Sequence, residues 1–235
     1  MQTLAIARRE LGSSFASPVA YIVLSAFLLL AGFMFFDQFF LDGNATLFRL
    51  FQRMPEWLFF FAPAIAMRLL AEERGSGTME LLATLPVADW EVVVGKFLAA
   101  FALLAIGVLL TIPYAITVAQ LGPLDLGPVI GGYVGTLLLG ATYLSFGLLA
   151  SALTKNQIVA FVVGLAFCFG LFVLERASGA AGPTVGPVLE YLSPGKHFQS
   201  IARGVIELKS IVYYVTTITV VLLLTSRVLE ARRWR

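Results

Sequence analysis

A chain of 235 residues that is 59% hydrophobic and only 13% charged carries about half the charged fraction of a soluble domain, which excludes an ordinary soluble enzyme and leaves no room for a large soluble domain. Lys and Arg number 16 against 14 Asp and Glu, a net charge of +2, and the one dense basic cluster is C-terminal, at Arg232, Arg233 and Arg235, so nucleic acid is not an expected partner. A single cysteine, Cys168, and a single histidine, His197, supply neither an intrachain disulfide nor the ligand cluster of a zinc or haem site.

The chain opens with Leu4, Ala7, Leu11 and Phe15 at helical spacing while Arg9 and Glu10 face elsewhere, the pattern of a short helix lying in a membrane interface. An apolar run follows that ends in Phe33-Met34-Phe35-Phe36 and offers no small-residue cleavage site, so the first span reads as an uncleaved signal anchor. Uncharged runs and their flanks place six spans at approximately residues 18–36, 57–74, 97–121, 129–152, 157–174 and 210–228, within a single membrane domain covering 1–235. The second span includes Arg68, whose long stem can stay in lipid while its head snorkels to the interface.

Between the second and third spans, Gly75 and Gly77 are positioned to end a helix, because glycine enters the left-handed conformation readily. Thr78 to Leu85 then fit about two turns with Leu81, Leu82 and Leu85 on one face, stopped by Pro86. Asp89 is the expected N-cap of a helix that runs through Gly95 and Lys96 into the third span. A tight turn needs only a few residues, so a segment this long and this organised is suited to presenting a rigid helix to a partner.

The fourth span carries Gly131, Gly132, Gly135 and Gly140, a small-residue face for close helix packing, either inside one bundle or at a dimer seam. After the fifth span, Ser178 to Pro187 is rich in Gly and Pro and reads as turns. Ser193 and Pro194 form a strong helix start, with serine as cap and proline at the first helical position. Phe198, Ile201, Ala202 and Val205 recur at helical spacing, so residues 193–203 are expected to form an amphipathic helix on the outer surface, ended by Gly204. His197, between Lys196 and Arg203 in this helix, is read as a helix-surface residue rather than a contact for an anionic head group. Ten of the 16 basic residues flank the side on which both termini would lie, which favours cytoplasmic termini.

Several chemistries lack their residues. No Gly-x-x-x-x-Gly-Lys-Ser/Thr loop surrounds Gly95-Lys96 or Gly195-Lys196, so ATP would have to be hydrolysed elsewhere. Deep intramembrane charges for proton or sodium coupling are missing from the spans. An intramembrane protease would need a serine and a histidine together at membrane depth, but Ser25 and Ser145 lie in spans and the histidine lies in a loop. A membrane anchor or assembly protein without transport remains a second reading.

The run Glu72-Glu73-Arg74, then Gly77-Thr78-Met79-Glu80-Leu81-Leu82 through Pro86, and Val94-Gly95-Lys96 resembles the cytoplasmic signature of type-2 (ABC-2) ABC transporter permeases. It is most similar to the gliding-motility GldF and nitrous-oxide-reductase-maturation NosY branch, as is the stretch Ser193-Pro194-Gly195-Lys196-His197-Phe198 with Arg203-Gly204. The resemblance implies an all-α integral membrane protein of six transmembrane helices, with a cytoplasmic coupling helix and a short extracytoplasmic helix, in the bacterial cytoplasmic (inner) membrane. Residues Glu72, Glu73, Arg74, Gly77, Thr78, Glu80, Leu81, Leu82, Pro86, Gly95 and Lys96 are implied to couple the spans to a separate ABC ATPase that uses ATP and Mg. The chain itself is expected to bind no cofactor and to catalyse nothing. Further implied partners are a second permease, identical or homologous, the lipid bilayer and an extracytoplasmic accessory protein. The implied activity is export or force transmission.

Overall fold

The computed structural model describes residues 2–42, 46–78, 88–179 and 182–233. Eleven helices and no strand are found among them: α1 (Gln2–Ala16), α2 (Pro18–Asp42), α3 (Phe48–Ala66), α4 (Arg68–Ser76), α5 (Asp89–Leu109), α6 (Ile112–Leu121), α7 (Leu126–Leu153), α8 (Gln157–Ser178), α9 (Gly182–Leu192), α10 (Pro194–Ala202) and α11 (Leu208–Arg233). Among the described residues six helices are long and apolar enough to cross a membrane, with α3 and α4 joined into one and α5 and α6 into another. The second therefore starts at Phe48 and the third at Asp89, each well before the uncharged stretch that marks it in sequence.

Both compound helices carry a proline within about a turn of their break. Pro63 lies inside α3 one turn before Met67, where α3 gives way to α4. Pro113 sits at the start of α6, after a break at Leu110 and Thr111. A hydroxyl lies at each break. Ser151 Oγ of α7 accepts from the backbone N–H of Leu70 (3.1 Å) and Ala71 (3.0 Å) and donates to the Met67 carbonyl (2.9 Å). Thr111 Oγ1 donates to the Val108 carbonyl at 2.6 Å. In lipid freed backbone groups find no water, so the Ser151 contacts are what make the first break tolerable.

The core gathers around α7, which packs on α3, α4, α5, α8, α10 and α11. Its fully buried residues include Leu139, Tyr143, Leu144 and Leu148. By contrast α2, α8 and α11 keep most of their surface outside the bundle, as helices facing lipid would. With no hydrophobic drive between helices in a bilayer, close approach has to come from small residues. A methyl group at Gly131 would collide with the Ile201 carbonyl, one at Gly132 with the Phe51 ring, and one at Gly140 would reach Leu104 Cδ2 at 2.8 Å. The glycine face of the fourth span is thus spent inside this bundle, on α10, α3 and α5.

Three local expectations need correction. Residues 182–187, expected to be turns, belong to helix α9, because Pro183 stands in its first turn, where proline's missing N–H has no intrahelical partner to lose. Asp89 is the first helical residue, not the cap: Ala88 holds the extended cap conformation, and Glu91 Oε2 accepts its N–H at 3.2 Å. The residues 193–203 do form a helix after Ser193, but it is not laid on the surface. Phe198, Ile201 and Ala202 are buried against the bundle, with Val205 alone of the four exposed because the helix has ended at Ala202 and Gly204 has turned the chain with φ +86°.

Substituting Gly131 by alanine is expected to cost about 1–3 kcal/mol through overpacking against the Ile201 carbonyl. The Gly170→Ala variant, where a methyl group would meet nothing within 4 Å, is expected to melt like the wild type. Thermal unfolding of the two purified variants checks the contrast.

Candidate functional site

At the end of the bundle that carries the chain termini, α1, α4 and α5 meet on one buried charge. Lys96 of α5 is 1% exposed. Its Nζ lies 2.8 Å from Glu73 Oε1 on α4 and 3.1 Å from Glu10 Oε1 on α1. Gly95 makes the meeting possible: a methyl group there would press on Ile6 Cγ2 at 2.8 Å and on the Thr3 carbonyl at 3.0 Å, so its absence lets α1 lie against α5 and brings Glu10 within reach. A buried ammonium is tolerable only when paired, and here two carboxylates from two other helices share it.

Glu10 was expected to face away from the apolar side of α1. It faces inward instead, because α1 is rolled so that Thr3, Ile6, Ala7 and Glu10 meet α5 while Leu4 stays exposed. The sequence did contain a signal for this partner. Lys96 sits between Val92-Val93-Val94-Gly95 and Phe97-Leu98, and a lysine in an apolar helix demands a carboxylate from elsewhere.

The neighbouring motif residues divide by direction. Glu73 turns inward to Lys96, and its other oxygen, Oε2, is buried without a hydrogen bond among the described residues. Glu72 turns outward and pairs with Arg68 Nε at 3.0 Å, while Arg68 Nη1 donates to Ser17 Oγ at 3.3 Å and so ties α4 to the α1–α2 junction. Arg74 Nη1 donates to the carbonyls of Ala152 and Thr154, orphan acceptors at the C-terminal end of α7 that favour a cation. Gly75 is helical and does not end α4. It is required because a methyl group there would meet the Lys155 carbonyl at 2.8 Å.

Gly77 is the terminator, with φ +76° in the left-handed region. Around it the Thr78 and Ser76 hydroxyls donate to the Glu73 carbonyl at 3.4 and 3.3 Å. Glu80, Leu81, Leu82 and Pro86 lie outside the described residues. Both ends of that segment are nevertheless anchored: it leaves from α4 and returns to α5, and the Glu73–Lys96 pair, 23 residues apart in sequence, ties the two together. Beside this knot a cleft of about 250 Å³ is lined by Arg9, Glu10, Arg68, Glu72, Glu73 and Lys96, among others.

The opposite end holds the second predicted set. His197 is buried, not on the helix surface: Nε2 lies 3.0 Å from the Tyr191 carbonyl and Nδ1 3.1 Å from Ser210 Oγ. A carbonyl can only accept, so Nε2 carries a proton and donates to Tyr191, while Nδ1 shares a hydrogen bond with the Ser210 hydroxyl. The ring also stacks on Tyr213, with centroids 4.2 Å apart. An imidazole with both nitrogens used and its ring covered is a packing element that joins α9, α10 and α11. Ser193 has the extended cap conformation but makes no cap hydrogen bond, and the Pro194 carbonyl accepts from Tyr214 at 2.6 Å. Phe198 fills the space left by Gly135, while Arg203 is exposed at the end of α10.

A family model described as "ABC-2 family transporter protein" matches residues 4–231. No curated protein matches the chain. The chain belongs to the ABC-2 transporter family: it is a multi-pass, all-α membrane protein of the kind that forms the membrane component of an ABC transporter, and the family implies partnership with an ABC ATPase subunit.

Replacing Lys96 by methionine leaves Glu10 and Glu73 facing each other without their shared cation and is expected to destabilise the protein by about 3–5 kcal/mol. Adding Glu10→Gln and Glu73→Gln to the same chain is expected to recover much of that loss. Thermal unfolding of the single and triple variants measures it, and a triple variant no more stable than Lys96→Met would contradict the assignment.

Proposed function

We propose that this chain is the permease subunit of an ATP-driven ABC transporter, of the gliding-motility and NosY-like branch, that couples hydrolysis by a separate ATPase to export or to force transmission across a bacterial inner membrane. In this reading both termini face the cytoplasm, and the segment between Gly77 and Ala88 is the coupling element. Leu81 and Leu82 supply buried area against the ATPase, while Glu72 and Glu80 supply charge-assisted hydrogen bonds at the rim. ATP and Mg belong to the ATPase. A second permease copy or homologue completes the membrane part, and an accessory protein docks on the outer side.

The observation that carries this reading is the charge knot at the base of that segment. A mobile tether would deliver little motion to the spans. Here Glu73 and Lys96 join the two ends of the segment, Glu10 adds α1, and Arg74 extends the connection to α7, the most deeply packed helix. A displacement applied between residues 78 and 88 therefore moves four helices together. Each knot residue acts as a positioning residue: none has to touch the partner.

Co-expression with the cognate ATPase distinguishes docking from coupling. Leu81→Asp is expected to lower the recovery of ATPase with the tagged permease at least tenfold. Glu72→Ala removes an exposed pair worth about 0–1 kcal/mol, so it is expected to leave folding and ATPase recovery intact and to reduce the stimulation of ATP hydrolysis by the permease. Wild-type recovery with Leu81→Asp, together with unaltered stimulation in Glu72→Ala, would overturn the proposal and favour an anchor without transport.

A further inference from the structure

The end of the bundle opposite the termini contains a second cleft, about 570 Å³, between the start of α3, the end of α8 and α10. Arg53, Arg176, Lys196 and Arg203 line it, with Glu56 and Glu175 between them. Glu56 is divided between two guanidiniums, its Oε2 accepting from Arg53 at 2.9 Å and its Oε1 from Arg176 at 3.2 Å. Glu175 Oε1 accepts from Gln199 at 2.6 Å, and Lys196 reaches Glu190 at 3.5 Å. Four cations thus face three carboxylates, and the exposed Arg203 side chain makes no ion pair or hydrogen bond among the described residues. The cleft keeps a net positive charge and a guanidinium ready for an anion.

Its depth and its floor narrow the class of anion. Arg53 lies near the start of one membrane-crossing helix and Arg176 near the end of another, so the cleft opens at the level of lipid head groups. Directly beneath it runs an aromatic seam between α3 and α8. The Arg176 guanidinium lies 5.2 Å from the Phe172 ring centroid, Phe59 is 5.2 Å from Phe172 and 5.9 Å from Phe169, and Phe60 is 5.4 Å from Phe161. Phe60 and Phe169 remain about half exposed. From Phe172 to Phe161 the helix descends about 16 Å at 1.5 Å per residue, enough to carry much of an acyl chain. A soluble anion has no use for such a seam, whereas an amphiphile uses both parts at once.

We propose that this cleft and seam bind an anionic phospholipid, its phosphate held by Arg176 and Arg203 and an acyl chain laid along the phenylalanines of α3 and α8. Guanidinium suits the role because its planar donors match phosphate oxygens in pairs. The site is separate from the charge knot at the other end and stands whether or not the coupling role does.

The test uses the full-length protein in detergent and native mass spectrometry with three probes: phosphatidylglycerol, phosphatidylcholine of the same chains, and glycerol 1-phosphate. At about 1 kcal/mol per cation near a membrane surface, Arg203→Gln is expected to weaken phosphatidylglycerol about fivefold and Arg176→Gln/Arg203→Gln about 25-fold, with phosphatidylcholine, whose own ammonium offsets its phosphate, weakened less. Phe169→Ala is expected to weaken phosphatidylglycerol as well, and Arg227→Gln, at the other end of the bundle, to change nothing. Because the Arg203 side chain has no partner to lose, its variant keeps the fold, and an unchanged affinity there would overturn the proposal. Equal affinity for the two lipids would overturn it too. Glycerol 1-phosphate binding as tightly as phosphatidylglycerol would replace the lipid by a free phosphate ester.

Discussion

A chain surrounded by hydrocarbon must satisfy its polar groups from within, and the layout of this bundle follows from that constraint. At the break between α3 and α4 and at the ends of α7 and α9, a side chain from a neighbouring helix takes up freed groups. Ser151 reaches from α7 into the break between α3 and α4, Arg74 reaches from α4 to the last carbonyls of α7, and His197 joins α10 to Tyr191 and Ser210. Each repair is also a tertiary contact. Breaks and helix ends are therefore places where helices are held to one another.

The same constraint explains the buried lysine. An unpaired ammonium at Lys96 would be prohibitive, and an aliphatic residue of similar volume would serve packing as well or better. Its retention makes sense as a fastener: three helices are fixed in one arrangement by a contact that is strong when complete and unfavourable when any member leaves. Such an all-or-none joint suits the base of a segment expected to transmit movement, because it resists bending without adding apolar bulk near the interface. At the far end the charges are less completely matched, and Arg203 extends outward from the packed helix α10.

The glycines show how packing and function are divided. Those of α7 are used up in contacts with α3, α5 and α10, so the inner helix cannot also offer them to a second subunit. Contacts with lipid fall to α2, α8 and α11, whose surfaces the bundle leaves open. Gly95 plays the same steric part for α1, and Gly75 for the turn between α7 and α8.

Much was legible from the residues in order. Long uncharged runs, prolines at helix starts and the αL glycines Gly77 and Gly204 are local signals, since they act through hydropathy and backbone conformation within a few residues. The six spans, the helix at Pro194 and the family resemblance carried by Glu72-Glu73-Arg74 and its neighbours all rest on such signals. What periodicity could not decide was direction. The roll of α1 that turns Glu10 inward, the opposite orientations of adjacent Glu72 and Glu73, the burial of His197 and the use of Ser151 at a distant break each depend on which helix lies alongside. Those neighbours are separated by tens of residues, and in a bilayer, where apolar faces do not by themselves distinguish inside from outside, only close packing and the pairing of buried polar groups settle where a side chain points.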